Sequence, residues 1–263
     1  MSLSPEQLGQ IEGVITASIR KKLRTYKPET NHMPFHYRLL GKDRMALFSF
    51  IQSLNTTFGT SIFEPLGEVL ARQRFSYAQA QYDVGGKISS SAQTEIQRII
   101  DEISTGKTPN KDMEVSRIRK AVRHDDLTST RMVKADICVK GADGSVHFFD
   151  IKTAKPNISN FKDFKRTLLE WIGVYLTEHP DANVHSYIAI PYNPYEPQPY
   201  ERWTLRGMLD LDKELKVAEE FWDFLAGDRV YEDLLRCFER VGLALRHEID
   251  EYFSRFRHDE TYQ

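Results

Sequence analysis

The stretch 132–152 constrains this chain most: two runs rich in β-branched and aromatic residues, 132–140 and 145–152, flank Gly141-Ala142-Asp143-Gly144, which is the composition of a β-hairpin. A three-residue loop, Ala142-Asp143-Gly144, with Gly144 in the left-handed conformation, puts Gly141 opposite Ser145. Counting outward pairs Ile137 with Phe149, Val139 with His147 and Ala135 with Ile151, a mostly apolar face suited to packing on helices. The other face sets Asp136 against Asp150 and Lys134 against Lys152. Carboxylates opposed with Cβ atoms about 5 Å apart destabilise a hairpin unless something between them neutralises the charge. A loop of two or four residues would instead turn Asp136 to the opposite face and dissolve the arrangement.

Two carboxylates and a lysine around a hydrated divalent cation form a hydrolytic centre for phosphodiesters. The cation takes oxygen ligands and activates a bound water, and the lysine orients that water and screens developing charge. Acid-x-Lys triplets occur three times here, as Asp150-Ile-Lys152, Asp163-Phe-Lys165 and Glu214-Leu-Lys216. The last two lie in helical patterns, where positions i and i+2 point apart; the first lies in a strand, where they share a face. The competing reading is a surface hairpin whose charged face is simply solvated.

The rest of the chain reads as helices around this centre. Apolar spacing predicts helices from Leu8 to Leu23 and from Met45 to Leu54, a break at Asn55-Thr-Thr-Phe-Gly-Thr60, and a helical stripe over 61–73. Gly85, Gly86 and 89–91 predict a loop before a short helix at 94–103. A helix follows over 161–176, a strand over 184–190, a Pro- and Tyr-rich loop over 191–200, and helices from about 211 to 257. With 40% hydrophobic and 28% charged residues the chain can bury a sizeable core, and two cysteines exclude a disulfide scaffold. No apolar run approaches the roughly 18 residues of a membrane span, so a cytoplasmic protein without membrane contact is expected. Residues 209–263 carry 15 acidic and 8 basic side chains although the whole chain has a net charge of −2, so a polyanion belongs on the remainder.

Asp136, thirteen intervening residues and Asp150-Ile151-Lys152 resemble the PD-(D/E)xK nuclease signature, with Ala135 in place of the usual proline. Phe149-Asp-Ile-Lys-Thr-Ala-Lys-Pro-Asn157, Leu168-Leu-Glu-Trp171 and Ser53-Leu-Asn-Thr-Thr-Phe-Gly-Thr-Ser-Ile-Phe-Glu64 are similar to the TdeIII-type type II restriction endonucleases, over about residues 30 to 195. The resemblance implies an α/β (α+β) fold: a mixed β-sheet, restriction-endonuclease-like core flanked by helices. The chain would be a single domain over 1–263, mainly helical over 1–110, with the catalytic core at 111–200 and a helical part at 201–263. It implies Mg²⁺-dependent cleavage of double-stranded DNA at a short palindrome, GGNCC, leaving 5′-phosphate ends, with Mn²⁺ able to substitute. It further implies a homodimer and a cognate DNA methyltransferase as functional partner. In that frame Asp136, Asp150 and the Ile151 carbonyl hold the metal and Lys152 handles the attacking water. A repair or junction-resolving nuclease of the same fold and a non-catalytic DNA-binding module are the alternatives.

A further acid from a preceding helix often completes such sites. Glu64 and Glu68, four residues apart, share a helical face, and Ser61-Ile-Phe-Glu64 alternatively fits a capping box. Lys155 and Asn157 after the catalytic strand, Lys134, Arg131 and Arg123 before it, and Asn55 and Thr56 on a loop are candidate DNA contacts. Arg117 and Arg119 add to the same basic cluster. Leu215, Phe221, Phe224, Leu225, Leu234, Leu235 and Phe238 form the candidate dimer stripe.

Overall fold

The computed structural model describes residues 3–29, 32–152, 161–201 and 207–256. The chain divides into two compact units, Met1–Val69 with Val230–Gln263, and Leu70–Arg229.

In the first unit α1 (Pro5–Thr25) begins at Ser4, whose hydroxyl accepts the Gln7 N–H at 3.2 Å while the Gln7 side chain accepts the Ser4 N–H at 2.9 Å. This is a capping box with proline at the first helical position. Ile11 and Ile15 are buried on its inner side. Glu12 pairs with Arg240 of α10 (Tyr231–Ala244), and Arg20 pairs with Glu248 of α11 (Arg246–Ser254). After the short α2 (Pro34–Leu40), α3 (Lys42–Thr57) runs into a π-helical turn, Phe58–Phe63, and on into α4 (Glu64–Ala71). The break expected at Asn55–Thr60 is therefore absent. Phe58 stacks on Phe63 at 5.5 Å and Ile62 is buried, so apolar anchoring carries the helix through Gly59 by widening one turn. Asn55 and Thr56 accordingly lie exposed in the last turn of α3, not on a loop, and Ser61 lies inside the π-helical turn instead of at a helix start.

The second unit holds a five-stranded mixed sheet in the order β1-β2-β3-β4-β5: β1 (Tyr77–Ser89), β2 (Leu127–Lys140), β3 (Ser145–Ile151), β4 (Asn183–Ile190) and β5 (Leu215–Val217). The first three run antiparallel and the last three parallel. Around it stand α5 (Ser90–Ser104), α6 (Lys111–Ala121), α7 (Phe161–Glu178), α8 (Leu211–Glu214) and α9 (Glu219–Ala226). Phe148 meets Trp171 and Tyr175 of α7 on one face, and Phe149 meets Phe221 and Phe224 of α9 on the other. Each such buried side chain contributes about 1.5–3 kcal/mol. The sheet is thus covered on both faces, and the strand β3 is buried along nearly its whole length.

Several sequence expectations change here. Gly85 and Gly86 lie inside β1, not in a loop, at a bulge where the register with β2 shifts. Gly85 has φ +137°, and a Cβ there would sit 2.9 Å from Val174 of α7, so this glycine lets a helix pack directly on the strand. The Glu214-Leu-Lys216 triplet leaves a helical turn and enters the three-residue β5, which its length hid. The candidate dimer stripe faces inward: Phe221, Leu225 and Leu234 are buried, because their helices need those side chains for their own cores. Leu235 alone of the seven is exposed, at 42%. Among the described residues no helix is long and apolar enough to cross a membrane.

Candidate active site

The hairpin closes as the three-residue loop demands. The Gly141 N–H donates to Ser145 O at 2.8 Å, the Gly144 N–H to Gly141 O at 3.1 Å, and Gly144 has φ +80°. Asp143 locks the turn by accepting from the Ser145 N–H at 3.0 Å and its hydroxyl at 2.6 Å. The resulting pairs Ile137↔Phe149 and Val139↔His147 bring Asp136 across from Asp150 on the face that α7 covers.

The ladder between β2 and β3 then ends. The Ile151 N–H donates at 2.7 Å to Asp136 Oδ2, and the Lys152 N–H donates at 2.9 Å to Ala189 O of β4. Strand β3 has left β2 and follows β4 instead, and the two carboxylates occupy the fork. Asp150 is 6% exposed, its Oδ1 lies 2.6 Å from Lys152 Nζ, and it shares a hydrogen bond with Asp136. Lys152 Nζ also stands 4.9 Å from the centre of the Phe164 ring of α7. No spacing rule singles out Phe164.

Electrostatics follow from this crowding. Burial pushes the Asp150 carboxyl up to about 6, the Lys152 ammonium opposes that, and the Asp136 charge adds to it. Burial also raises Asp136, against the Ile151 N–H and Lys152. Below about pH 6 these two acids, one hydrogen bond apart, hold one proton between them. The donors are hard oxygens, and Mg²⁺ commonly uses one or two carboxylates and takes its remaining positions from water and phosphate, so Asp136 and Asp150 fit such an ion. Among the described residues no third His, Cys, Asp or Glu joins them in a metal-holding group.

Other predicted residues are distributed as follows. Glu64 is buried and Glu68 half-buried on α4, in the first unit. Lys155 and Asn157 lie outside the described residues, as does the side chain of Arg131. Lys134 is exposed on β2 with Asp83 as its register partner. Arg123 is exposed and donates to the carbonyls of Lys120 and Val122. Two members of the basic cluster serve the fold instead: Arg117 binds Glu95 and Glu102, and Arg119 donates to the Pro180 and Ala182 carbonyls. His147 and His185 stack at 4.8 Å within the aromatic core, where burial holds His147 down at about 4.

Spacing also missed a buried ion network beside the site. Lys165 on α7, fully buried, lies 2.5 Å from Glu114 and 2.6 Å from Glu214, and Lys111 lies 2.7 Å from Glu214 and 2.9 Å from the Ser186 hydroxyl. It ties α6, α7, β4 and α8 together and fixes the helix that carries Phe164.

Comparison with known proteins finds type II restriction endonucleases. A family model described as type II restriction endonuclease, HinfI, matches residues 4–242. The type II restriction enzyme HgiEI of Herpetosiphon aurantiacus is 25% identical over 95% of this chain and 98% of its own length. HgiBI of the same organism is 27% identical over 83% of this chain and 80% of its own. MjaII of Methanocaldococcus jannaschii is 26% identical over 70% and 51%.

Proposed function

We propose a cleavage site on one premise: this chain belongs to the HinfI family of type II restriction endonucleases and is therefore a site-specific endonuclease acting on DNA. The observation that carries the proposal is the pairing of Asp136 with Asp150 at the fork of β2 and β3, with Lys152 Nζ 2.6 Å from Asp150. Asp136 and Asp150, with the Ile151 carbonyl, hold Mg²⁺, and Mn²⁺ substitutes because it accepts the same oxygen donors. When bound, the cation supplies charge neutralisation at the phosphoryl oxygens and a water acidified for attack.

The chain's own groups do the remainder. Asp150 anchors the Lys152 ammonium, whose other N–H donors face the attacking water and the charge growing on the phosphoryl group. Phe164 covers that ammonium and limits its rotamers. The Ile151 N–H fixes the Asp136 carboxylate, leaving its second oxygen for the cation. Cleavage of the P–O3′ bond by water leaves a 5′-phosphate and a 3′-hydroxyl.

The hairpin geometry also supports the PD-(D/E)xK assignment. The likeness to TdeIII-type enzymes supports a palindromic GGNCC target, a homodimer that presents two symmetric sites, and a host methyltransferase guarding the same sequence. Glu64 or Glu68 as a further acid, and Lys155, Asn157, Lys134, Arg131, Arg123, Asn55 and Thr56 as DNA contacts, belong to the same proposal. Digestion of a plasmid of known sequence with Mg²⁺, with mapped ends, tests it. Wild type should give discrete fragments, whereas Asp150→Asn and Lys152→Ala should each cut about 10²–10⁴-fold more slowly. Wild-type activity in Lys152→Ala would refute the assignment.

A further inference from the structure

The first unit carries an open polar groove of about 450 Å³, lined by Ala17, Ser18, Lys21, Lys22, Thr25, Thr57 and Ser61. Its floor is fixed. Ser18 Oγ donates to Ser61 O at 2.8 Å, which ties α1 to the π-helical turn, and Lys22 Nζ donates to the Ser53 carbonyl at 3.2 Å and to the Ser53 hydroxyl. The Thr25 and Thr57 hydroxyls are spent on the carbonyls one turn back, at 2.9 and 3.0 Å. These bonds leave Lys21 as the exposed cation of the groove.

The charges that line the groove have one sign. Residues 20–28 contain Arg20, Lys21, Lys22, Arg24 and Lys27 and no acid, no acid lines the groove, and among the described residues the ion pair these five make is Arg20 with Glu248. Ala17, Ser18 and Ser61 are small enough to admit a backbone rather than a side chain. The π-helical turn, a feature frequent at functional sites, forms the opposite wall. Lys21, Lys22 and Arg24 crowd the C-terminal end of α1 with no acid among residues 20–28, and a polyanion relieves the repulsion among them.

We infer that this groove is a DNA-backbone cradle in which Lys21, with Ser61 opposite, holds a phosphate of the duplex and contributes to binding rather than to cleavage. The inference rests on the reading of the chain as a duplex-cutting enzyme and adds the surface that grips the substrate. Lys21 is placed one turn from Ala17 and Thr25, so a phosphate seated over the small residues meets its ammonium directly. Such contacts carry no base information and set the position of the protein on the duplex.

The test measures binding of the full-length protein to a fluorescent duplex containing its target, in EDTA, from 50 to 300 mM salt. Each phosphate neutralised contributes about 0.9 to the slope of log K against log salt. Lys21→Ala should lower that slope by about 0.9 and weaken binding about five- to tenfold at 0.1 M salt, and Lys21→Arg should restore both. Ala17→Glu places a carboxylate one turn before Lys21, a helix-stabilising spacing, so it should raise the melting temperature while weakening binding at least as much. Arg236→Ala on α10, an exposed cation outside the groove, should leave the slope unchanged. Wild-type protein that neither binds the duplex nor cuts it when Mg²⁺ is supplied would sink the nuclease reading itself. Binding by wild type with an unchanged slope in both Lys21→Ala and Ala17→Glu would sink the cradle alone. Inorganic phosphate that shields Lys21 from acylation where duplex does not would also overturn it, by reassigning the groove to a small anion.

Discussion

The carboxylate pair should make the metal-free protein less stable as pH rises. The Asp150 carboxyl sits at about 6 against an ordinary 3.8, a difference of about 2 units at about 1.4 kcal/mol each, or about 3 kcal/mol in all. Because the folded-state value is the higher one, the folded protein keeps a proton that the unfolded chain has released. The stabilisation is complete below about pH 4 and is lost as pH climbs through 6. Between pH 4.5 and 7.5 about 2 kcal/mol of it should disappear, which for a chain of this size is about 4–8 °C of melting temperature. Other carboxyls, among them Glu102 and Asp126, are held low by hydrogen bonds to Arg117 and Ser91 and oppose this trend. The quantity to measure is therefore the melting temperature of wild type minus that of Asp150→Asn, by scanning calorimetry in EDTA. That difference should fall by about 4–8 °C over the interval. Added Mg²⁺ at pH 7.5 should raise wild type and leave the variant in place. A difference that does not change with pH would show that Asp150 is not buried in the fork beside Asp136, and the site would fall with it.

Three further outcomes test the surrounding structure. Glu214→Ala strips Lys111 and Lys165 of a shared partner at 2.7 and 2.6 Å, so urea denaturation should show a loss of about 3–5 kcal/mol; a loss under about 1 kcal/mol would mean the network is open to water. Gly144→Ala at φ +80° should cost about 1–2 kcal/mol, and an unchanged midpoint would contradict the three-residue loop. Phe164→Leu removes the ring 4.9 Å from Lys152 Nζ and should lower kcat by about 2- to 30-fold with KM unchanged; an unaltered kcat would leave Phe164 no part in holding the lysine.

What spacing shows and what it hides divide along one physical line. The hairpin was legible because its register is decided locally, by Gly144 in a left-handed turn and by period-two alternation. Asp136, Asp150 and Lys152 follow from that count alone. Gly85 and Gly86 misled because the same residue that ends a strand also admits a helix to within contact of it, and Val174, far away in sequence, decides which. The π-helical turn was hidden for a similar reason: Asn55 to Thr60 have turn chemistry, yet Phe58 and Phe63 anchor them as helix. The three-residue β5 gives too short a pattern to read, and the apolar stripe of the C-terminal helices cannot say whether it faces its own core or a partner.

Charge balance separates the reactive cluster from the structural one where sequence frequency cannot. The two acid-x-Lys triplets that spacing sets aside supply Lys165 and Glu214, which pair with each other at 2.6 Å. With Lys111 and Glu114 they make a set of two cations and two anions, each partner within 2.9 Å of the next and all buried. Such a set has no unmet charge and no reason to admit a ligand. Asp136, Asp150 and Lys152 hold two anions and one cation, and the shortfall is met by a proton that Asp150 keeps up to about pH 6. A site that is one positive charge short, at a fork where two strands part, is chemically unfinished in a way the sealed network is not. The same condition that costs stability at neutral pH is what makes a divalent cation and a phosphodiester its natural complement.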